Sequence, residues 1–475
     1  MRTNNNNHMK KSIPIILFTL LLCSPLLAQN GADSGIYKEI LSERSLDISF
    51  MSILRGVIGM ATVILICWIF STNRKAICWG TVAKALLLQL LIAVSVLAFP
   101  AVQTIFEALG SAFISVLSWT KAGSSFLFGS LMDSSKFGYV FVFQILPTIV
   151  FFSALMSLFF YLGIMQKIVW GMGCVLAKII KLSGAEALTC AGNVFLGQSE
   201  APLMVKEYVP KMTTSELVLI MTSGMATMSG GVLAAYIGML GGGDKVLELE
   251  FAKHLLSASV MAAPGAIALS KIIVPQTEEI DNTLSVSKDK LGKNVLDAIS
   301  NGTADGLKMA ANIAALLLVF YALIAGANAL LGWISFPAMD TWICNLSGGR
   351  YTDLSLQAIL AFVFYPVIWL TGVPAEDIGL VGRLFGEKLI LTEFVGYQSM
   401  AQMLHHGAFS YAKSAVMAAY VLCGFANFAS VGIVIGAVGG IAPNKKEILT
   451  KYGLRALLAS SLVALVSAAM MGMFM

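Results

Sequence analysis

The sequence predicts an all-α protein that crosses a membrane several times, with about eight transmembrane helices. Hydrophobic residues make up 57% of the chain and charged residues only 12%, and the mean hydropathy is +0.83. A water-soluble domain carries roughly a quarter charged residues, so this composition does not suit a water-exposed surface. Apolar runs long enough to span a bilayer recur along the chain, and its two halves resemble each other. Such internal repeats are typical of secondary transporters.

Nine apolar runs and one polar linker set the order of the elements. The runs cover about residues 53–70, 84–100, 138–162, 213–240, 251–274, 306–334, 353–371, 414–440 and 454–475, and a shorter amphipathic stretch near 103–130 is predicted to be interfacial. The predicted regions are an N-terminal extension with a signal peptide (1–28), a periplasmic N-terminus with two spans and the interfacial helix as scaffold (29–136), a first transport repeat with hairpin 1 (137–275), a cytoplasmic linker (276–304) and a second transport repeat with hairpin 2 (305–475).

The N-terminus and the distribution of basic residues predict the orientation. Lys10 and Lys11 precede an apolar stretch over 13–22, and Ala28 ends a sequence typical of a signal-peptide cleavage site; residues 1–8 lie upstream of this signal. Lys and Arg cluster after the first span, in the linker and in the last loop, and all three fall on the cytoplasmic side if residues 353–371 are not a full span. We therefore predict a multi-pass protein of a bacterial inner membrane with a periplasmic mature N-terminus.

Enzyme chemistry and nucleic-acid binding find no support in the sequence. The seven cysteines are spread out, no pair has metal-ligand spacing, and only two of the four histidines, His405 and His406, are adjacent. No stripe of basic residues with interleaved aromatics suggests nucleic acid. We therefore predict a protein that is not an enzyme, has no cofactor and does not bind nucleic acid.

Three sequence blocks recur in the same order in the second half. The corresponding pairs are Gly184 and Gly372, Glu200 and Glu393, and Thr227 and Asn427, with offsets of 188, 193 and 200 residues. A slowly drifting offset is what a duplication with small insertions produces. Polar, glycine-rich backbone at membrane depth is tolerated only where it is buried in protein or lines a cavity.

Two acidic residues in apolar surroundings predict the functional site. A carboxylate near the bilayer centre costs about 2.5–3.5 kcal/mol, so Glu200 and Glu393 are predicted to be functional or paired. Their segments are too short to cross the membrane before the next polar residues, which favours two re-entrant hairpins with acidic tips. The alternative is that both are loop residues in interfacial water. Asn427 lies inside an apolar span, where its amide needs several partners, whereas Thr227 could bond its own helix.

Three motifs resemble those of the concentrative nucleoside transporter family, of the bacterial, sodium-coupled type. They are the block from Gly197 to Leu203 (GQSEAPL), the block from Thr392 to Tyr397 (TEFVGY) and the block from Cys423 to Ser430 (CGFANFAS). The resemblance covers about residues 53–475. It implies eight spans, inverted repeats with two opposed re-entrant hairpins and interrupted helices, and a homotrimer. Residues 353–371 would then form an interfacial helix that leads into hairpin 2.

The resemblance also implies a substrate and a coupling ion. Gln198, Ser199 and Glu200 would face the nucleobase, and Glu393, Asn427, Ser430 and Phe425 would lie at the ribose. Sodium would be held by Asn193 and Thr227 together with the carbonyls of Leu196 and Met228. The implied function is import of nucleosides such as uridine or adenosine by symport with sodium. Proton coupling, or a carrier for another neutral polyhydroxylated solute, is the alternative.

The chain departs from the family pattern at three positions. Thr392 stands where the family usually has Asn, Ser199 where Thr is common, and Thr227 where Ser is common. Ser199 and Thr227 keep a hydroxyl, whereas Thr392 lacks an amide beside Glu393, which bears on substrate preference. Acidic hairpin tips also disfavour anionic solutes, which would require Arg or Lys there.

Overall fold

The computed structural model of the protein describes residues 49–133, 136, 140–280 and 292–475. In these ranges the regular structure is helical and no strand occurs, so the predicted all-α class is confirmed. The predicted signal peptide, the chain before residue 49, and the linker lysines Lys288 and Lys290 lie outside the described residues.

The main helices are numbered in chain order. They are α1 (Phe50–Ile69), α2 (Trp79–Ala98), α3 (Pro100–Phe128), α4 (Leu146–Tyr161), α5 (Ile164–Ile180), α6 (Gly184–Asn193), α7 (Thr214–Ala226), α8 (Gly230–Gly241), α9 (Lys245–Ile273), α10 (Val295–Ile334), α11 (Pro337–Leu346), α12 (Leu356–Thr371), α13 (Ile378–Ile390), α14 (Glu393–His405), α15 (Ala412–Leu422), α16 (Phe428–Ile441) and α17 (Lys446–Gly472). Short 3₁₀ turns connect several of them, including Ala201–Val205, Val209–Lys211 and Ala375–Asp377.

Eight helical segments in the described part of the chain are long and apolar enough to cross a membrane. They are Phe50–Ile69, Trp79–Ala98, Pro100–Met132, Phe141–Tyr161, Thr214–Gly241, Lys245–Ile273, Val295–Ile334 and Pro443–Gly472. The predicted span at 414–440 is split into α15 and α16, each too short to cross alone. The stretch near 103–130, predicted to be interfacial, is a continuous helix of sufficient length, and its interfacial position stays a prediction.

Burial separates a central group of helices from a peripheral one. Helices α7, α8, α9 and α17 are buried along most of their length, whereas α1, α2, α3 and α10 expose many large apolar side chains. Exposed apolar faces of this size suit lipid or another protomer rather than water. The central helices therefore form the part of the molecule that can enclose a polar site.

Helix α10 packs closely against α4 through two glycines one turn apart. A Cβ at Gly302 would come within 2.8 Å of the Cα of Ala154, and a Cβ at Gly306 within 2.8 Å of the Cα of Val150. Small residues at this spacing let helix backbones approach closely in a membrane. The contact fixes α4, whose Phe152 in turn packs against the first residue of α8.

Hairpin 1 consists of α6, a non-helical tip over 194–200 and a return arm of 3₁₀ turns. Ser183 and Glu186 form a capping box at the start of α6, and Glu186 is also paired with the buried Lys271. Helix α6 has ten residues, half of what a span requires. The arm therefore enters the bundle and ends inside it, as predicted.

Hairpin 2 consists of α13, the turn at Leu391 and Thr392, and α14. Its entry is anchored by Asp377, which is fully buried and accepts the backbone N–H groups of Ser410 and Tyr411 at 3.0 and 3.1 Å. The helix before it, α12, has 16 residues and is shorter than a span.

Two interrupted helices meet at the centre of the bundle. Helix α7 ends at Ala226 and α8 resumes at Gly230, while α15 ends at Leu422 and α16 resumes at Phe428. Gly424 adopts a φ of +89°, and a Cβ there would lie 2.3 Å from the carbonyl oxygen of Ala226. The two breaks are thus in direct backbone contact, which brings the two repeats together at one point.

The end of the predicted cytoplasmic linker is helical. Helix α10 begins at Val295, so the last ten residues of the predicted 276–304 linker belong to a helix. Asn294 caps this helix by accepting the N–H of Asp297 at 2.8 Å. The first turns of α10 are polar, and the cytoplasmic position of the linker stays a prediction.

Candidate substrate and cation site

Glu393 is the centre of a buried polar cluster between the two repeats. It is 4% exposed at the first residue of α14, and its two carboxylate oxygens accept hydrogen bonds from different elements. Asn427 donates to Oε2 at 2.8 Å, and the Tyr236 hydroxyl of α8 donates to Oε1 at 3.2 Å. A carboxylate has about four acceptor positions, so acceptor capacity remains for a bound solute.

Asn427 joins this cluster to the second helix break. Its Oδ1 accepts the backbone N–H of Ser430 at 2.8 Å and so caps the start of α16, while its Nδ2 donates to Glu393. Both the oxygen and the nitrogen of the amide thus have hydrogen-bond partners, which explains why Asn427 is tolerated in an apolar span. Phe425 is half-buried two residues earlier, in the break itself.

Gln198 connects the tip of hairpin 1 to the same cluster. Its Nε2 donates to the hydroxyl of Ser430 at 3.3 Å, across 232 residues of sequence. Its Oε1 is buried and has no hydrogen-bond partner among the described residues. A buried acceptor without a partner is costly, and a ligand with a suitable donor relieves that cost.

Aromatic side chains form one wall of the cluster. The rings of Tyr236 and Tyr397 are stacked with centroids 4.0 Å apart, and Phe394 meets Tyr236 edge-on at 4.9 Å. The Tyr397 hydroxyl donates to the carbonyl of Ala419 at 3.1 Å, which ties α14 to α15. These contacts hold Glu393 in a fixed orientation.

Glu200 lines a neighbouring cavity of about 630 Å³. Hairpin 1, α4, the start of α8 and α10 surround the cavity, and Asp305, Asn301 and Lys206 contribute polar side chains. Its volume lies within the roughly 300–1,000 Å³ of small-molecule pockets. The carboxylate of Glu200 accepts the N–H of Gly197 at 3.3 Å, so the hairpin tip itself orients it.

A second group of oxygen atoms lies at the first helix break. Asn193, the last residue of α6, is fully buried; its Nδ2 donates to the Ser223 hydroxyl at 2.8 Å. Its Oδ1 has no partner among the residues that the structure describes. The Thr227 hydroxyl donates to the Ser223 carbonyl at 2.8 Å, which leaves its lone pairs available.

The backbone near these side chains is suited to a cation. Leu196 and Met228 both lie outside regular helix, so their carbonyls are not committed to a helical ladder. The Phe195 carbonyl accepts the N–H of Gly230 at 2.9 Å, which holds the hairpin tip against the restart of α8. Sodium is a hard cation that takes oxygen ligands, and the unsatisfied Oδ1 of Asn193 fits it.

The structure therefore groups the predicted residues unequally. Of the seven predicted substrate residues, it joins Gln198, Glu393, Asn427 and Ser430 by hydrogen bonds, with Phe425 adjacent, and places Glu200 in the lining of the cavity. Ser199 is half-buried beside it. Tyr236 was missed because a lone aromatic in an apolar span looks like packing. Tyr397 was missed although it closes the quoted motif around Glu393.

Two hairpins that end inside the membrane, next to two interrupted helices and a buried polar cluster, define a secondary carrier and not an enzyme. Three family models match in chain order: "Na+ dependent nucleoside transporter N-terminus" over residues 58–131, "Nucleoside recognition" over 142–243 and "Na+ dependent nucleoside transporter C-terminus" over 254–472. The chain belongs to the concentrative nucleoside transporter family, and it is a nucleoside transporter.

Relatives and solved structures agree with this assignment. The nucleoside permease NupC of Helicobacter pylori is 35% identical over 89% of this chain and 98% of its own length. The mouse sodium/nucleoside cotransporter 1 is 36% identical over 87% of this chain and 62% of the mouse protein. The structure of CNTnw in an inward-facing substrate-bound state matches with a TM-score of 0.78 and 35% identity, covering 89% of this chain and 98% of that one.

Proposed function

We propose that this protein imports nucleosides across a bacterial inner membrane by symport with sodium. The single observation that carries the choice of ion is the buried Oδ1 of Asn193, which has no partner among the described residues and lies on the hairpin arm beside the first break. The names of the matching family models and of the mouse relative support sodium as the coupling ion. A coupling proton would instead be carried by a titratable side chain, and neither Asn193 nor Thr227 is one.

The polar cluster supports a division of labour in substrate recognition. Glu393 accepts hydrogen bonds from ribose hydroxyls with the positions that Asn427 and Tyr236 leave open, and Asn427 and Ser430 assist. Phe425 packs beside the ribose. Gln198 offers a donor and an acceptor to a base edge, with Ser199 and Glu200 completing the base side.

Coupling follows from the position of hairpin 1, which belongs to both sites. Sodium at Asn193, Thr227 and the carbonyls of Leu196 and Met228 would hold the hairpin arm against the first break. That same arm carries Gln198, which reaches Ser430 in the other repeat. Bound sodium therefore favours the arrangement that binds the nucleoside, and the two affinities are coupled in both directions.

The cavity beside Glu200 supports a route between the site and one side of the membrane. It extends to Gly292, at the end of the linker whose basic residues predict a cytoplasmic location. A nucleoside that leaves the cluster past Glu200 would enter this cavity and reach the cytoplasm. The homotrimer, the periplasmic N-terminus and the signal peptide remain predictions that accompany this proposal.

Uptake into proteoliposomes tests the proposal. Radiolabelled uridine and adenosine are supplied with an inward sodium gradient, with an inward proton gradient, or with neither, at equal ionic strength. We expect accumulation only with the sodium gradient. Accumulation driven by protons alone would assign the proton-coupled alternative, and accumulation of neither nucleoside under any gradient would point to another polyhydroxylated solute.

A further inference from the structure

Lys388 is a buried lysine that the transport site described above does not use. It lies in the last turn of α13, the first arm of hairpin 2, and is 1% exposed. Among the described residues, no carboxylate forms an ion pair with it within 4.0 Å. Its ammonium instead donates to two backbone carbonyls, those of Cys423 at 2.5 Å and Val421 at 3.1 Å.

These two carbonyls belong to the second helix break. Helix α15 ends at Leu422, so the carbonyls around it lack helical partners and carry the partial negative charge of a helix C-terminus. A cation is favoured there, and buried carbonyls without partners would be costly. The ammonium therefore supplies the positive charge and the hydrogen-bond donors that the unpaired carbonyls of the break need.

The first repeat has the same arrangement with a different side chain. The offset of 200 residues that relates Thr227 to Asn427 also relates Ser223 to Cys423. Asn193, at the end of the first hairpin arm, contacts Ser223, and Lys388, at the end of the second hairpin arm, contacts Cys423. In the first repeat, the neutral amide of Asn193 has an oxygen without a partner among the described residues. In the second repeat, the charged ammonium of Lys388 donates to carbonyl oxygens.

We propose that Lys388 is a covalently attached cation that takes, at the second break, the place of the sodium ion at the first. The proposal deepens the proposed function, because it rests on a sodium site at Asn193 and Thr227. By holding the end of α15 against hairpin 2, the ammonium positions Glu393, five residues further along the hairpin, and Asn427, four residues after Cys423. Lys388 is a positioning residue, and each transport cycle needs only one free cation.

Two substitutions of Lys388 distinguish the role of its positive charge from the role of its side-chain length. Lys388→Met keeps the length and removes the charge, whereas Lys388→Asn recreates the side chain of the first repeat beside the same carbonyls. Lys413→Met is the control, because the Lys413 ammonium also donates to a main-chain oxygen, that of Met475 at 2.5 Å, and to the Ser52 hydroxyl at 3.1 Å, away from the site. Each purified variant is assayed for equilibrium uridine binding and for its melting temperature in sodium chloride against choline chloride.

We expect Lys388→Met to lose about tenfold or more in uridine affinity at every sodium concentration, since two buried acceptors lose their donor. Lys388→Asn should recover affinity and melting temperature only at high sodium. The Hill coefficient for sodium should rise from about 1 in the wild type to about 2, because a second ion now binds. Lys413→Met should match the wild type in both binding and sodium dependence.

Two results would overturn the proposal. One is wild-type uridine affinity in Lys388→Met; the other is a Lys388→Asn protein that responds to sodium no differently from the wild type. If Lys388→Met does not fold, the sodium-dependent melting of Lys388→Asn decides alone. A wild type that does not respond to sodium would refute the proposed coupling ion, and the role of Lys388 would then be decided by uridine affinity in Lys388→Met against Lys413→Met.

Discussion

At the scale of single residues, Glu393 combines a negative charge, near-complete burial and two donors from different repeats. Glu393 accepts from Asn427 and from the Tyr236 hydroxyl through different oxygens. A Gln can keep both contacts without the charge, because its Oε1 can accept from Asn427 while its Nε2 donates to the Tyr236 hydroxyl, which can accept as well as donate. Hydrogen bonds to a charged acceptor are roughly twice as strong as neutral ones. Substitution by Gln therefore separates substrate recognition from folding.

We predict that Glu393→Gln abolishes uridine uptake while the protein inserts and folds. Removing the charge from the membrane lowers an insertion cost of about 2.5–3.5 kcal/mol, so the melting temperature should not fall. Uptake and thermal melting of the purified variant measure the two effects. The control is Glu376→Gln, an exposed carboxylate at the entry to hairpin 2, which should transport normally. Normal uptake by Glu393→Gln would remove Glu393 from the substrate site.

In the proposed sodium site, the hydroxyl of Thr227 is one of the oxygen ligands. We predict that Thr227→Ala raises the sodium concentration for half-maximal uptake by about three- to tenfold, the effect of losing one oxygen ligand worth about 1 kcal/mol. Uridine affinity at saturating sodium should change little. Sodium titrations of initial uptake rates measure both quantities.

Thr222→Ala provides the matched control for this prediction. Thr222 lies in α7, which ends just before Thr227; it is also fully buried, and its hydroxyl has no partner among the described residues. The same loss of a hydroxyl and a methyl group there should leave the sodium dependence unchanged. An equal shift in both variants would show a general effect on α7 rather than a lost ligand.

At the scale of elements, the contact between the two helix breaks depends on one glycine. Gly424 has a φ of +89°, where an L-residue is strained by about 1–2 kcal/mol, and a Cβ would meet the carbonyl oxygen of Ala226 at 2.3 Å. The clashing atoms belong to the backbone of Met225 and Ala226, which cannot move aside as a flexible side chain could.

We predict that Gly424→Ala lowers the melting temperature and abolishes uptake, because it pushes the two breaks apart. Gly432→Ala, in the following helix α16, has open space around its Cβ and should be neutral or stabilising by about 0.5–1 kcal/mol. Thermal melting in detergent and uptake in proteoliposomes compare the two. If Gly424→Ala transports like Gly432→Ala, the close contact is not required.

The tip of hairpin 1 bears on the choice of nucleobase. A Cβ at Gly197 would make ordinary van der Waals contacts without a clash, the nearest being with the Glu200 carboxyl at 3.7 Å and with Ser229 at 3.8 Å. We predict that both pyrimidine and purine nucleosides are accepted, because Gln198 can present either a donor or an acceptor to a base. Competition of labelled uridine by unlabelled adenosine, inosine and cytidine measures this.

A larger side chain at the hairpin tip tests whether the space at Gly197 is needed for purine nucleosides. Gly197→Thr should weaken competition by purines more than by cytidine, because its branched side chain extends toward Glu200 and reduces the space for a second ring. If only one base class competes with the wild type, the broad specificity is wrong, and Gly197 serves only the turn.

At the scale of the whole molecule, the peripheral helices of one protomer expose large apolar surfaces. Helices α3 and α10 are mostly exposed, with Phe126, Trp119 and Trp333 each more than half accessible. We predict a homotrimer, as the family resemblance implies, with part of this surface between protomers. Native mass spectrometry in a mild detergent should show three copies. A protein that stays monomeric in detergent and in bilayer nanodiscs would contradict the prediction.

The sequence by itself determined the membrane class, the order of the helices and the position of both hairpins. These features are local: hydrophobic runs and a carboxylate in an apolar segment are both readable from neighbouring residues. The repeated blocks added the correspondence between Thr227 and Asn427, because a duplication preserves order. The helical start of α10 at Val295 was not readable from the sequence, since polar residues in a helix look like a linker.

Only the tertiary structure decided how the two repeats meet. It brought Tyr236 to Glu393 across 157 residues, joined Gln198 to Ser430 and set the Lys388 ammonium on the carbonyls of the second break. It also placed Glu200 in the lining of a separate cavity. The physical reason is that these contacts depend on the approach of backbones far apart in sequence, and the polar groups of a broken helix take whichever partner packing brings within reach.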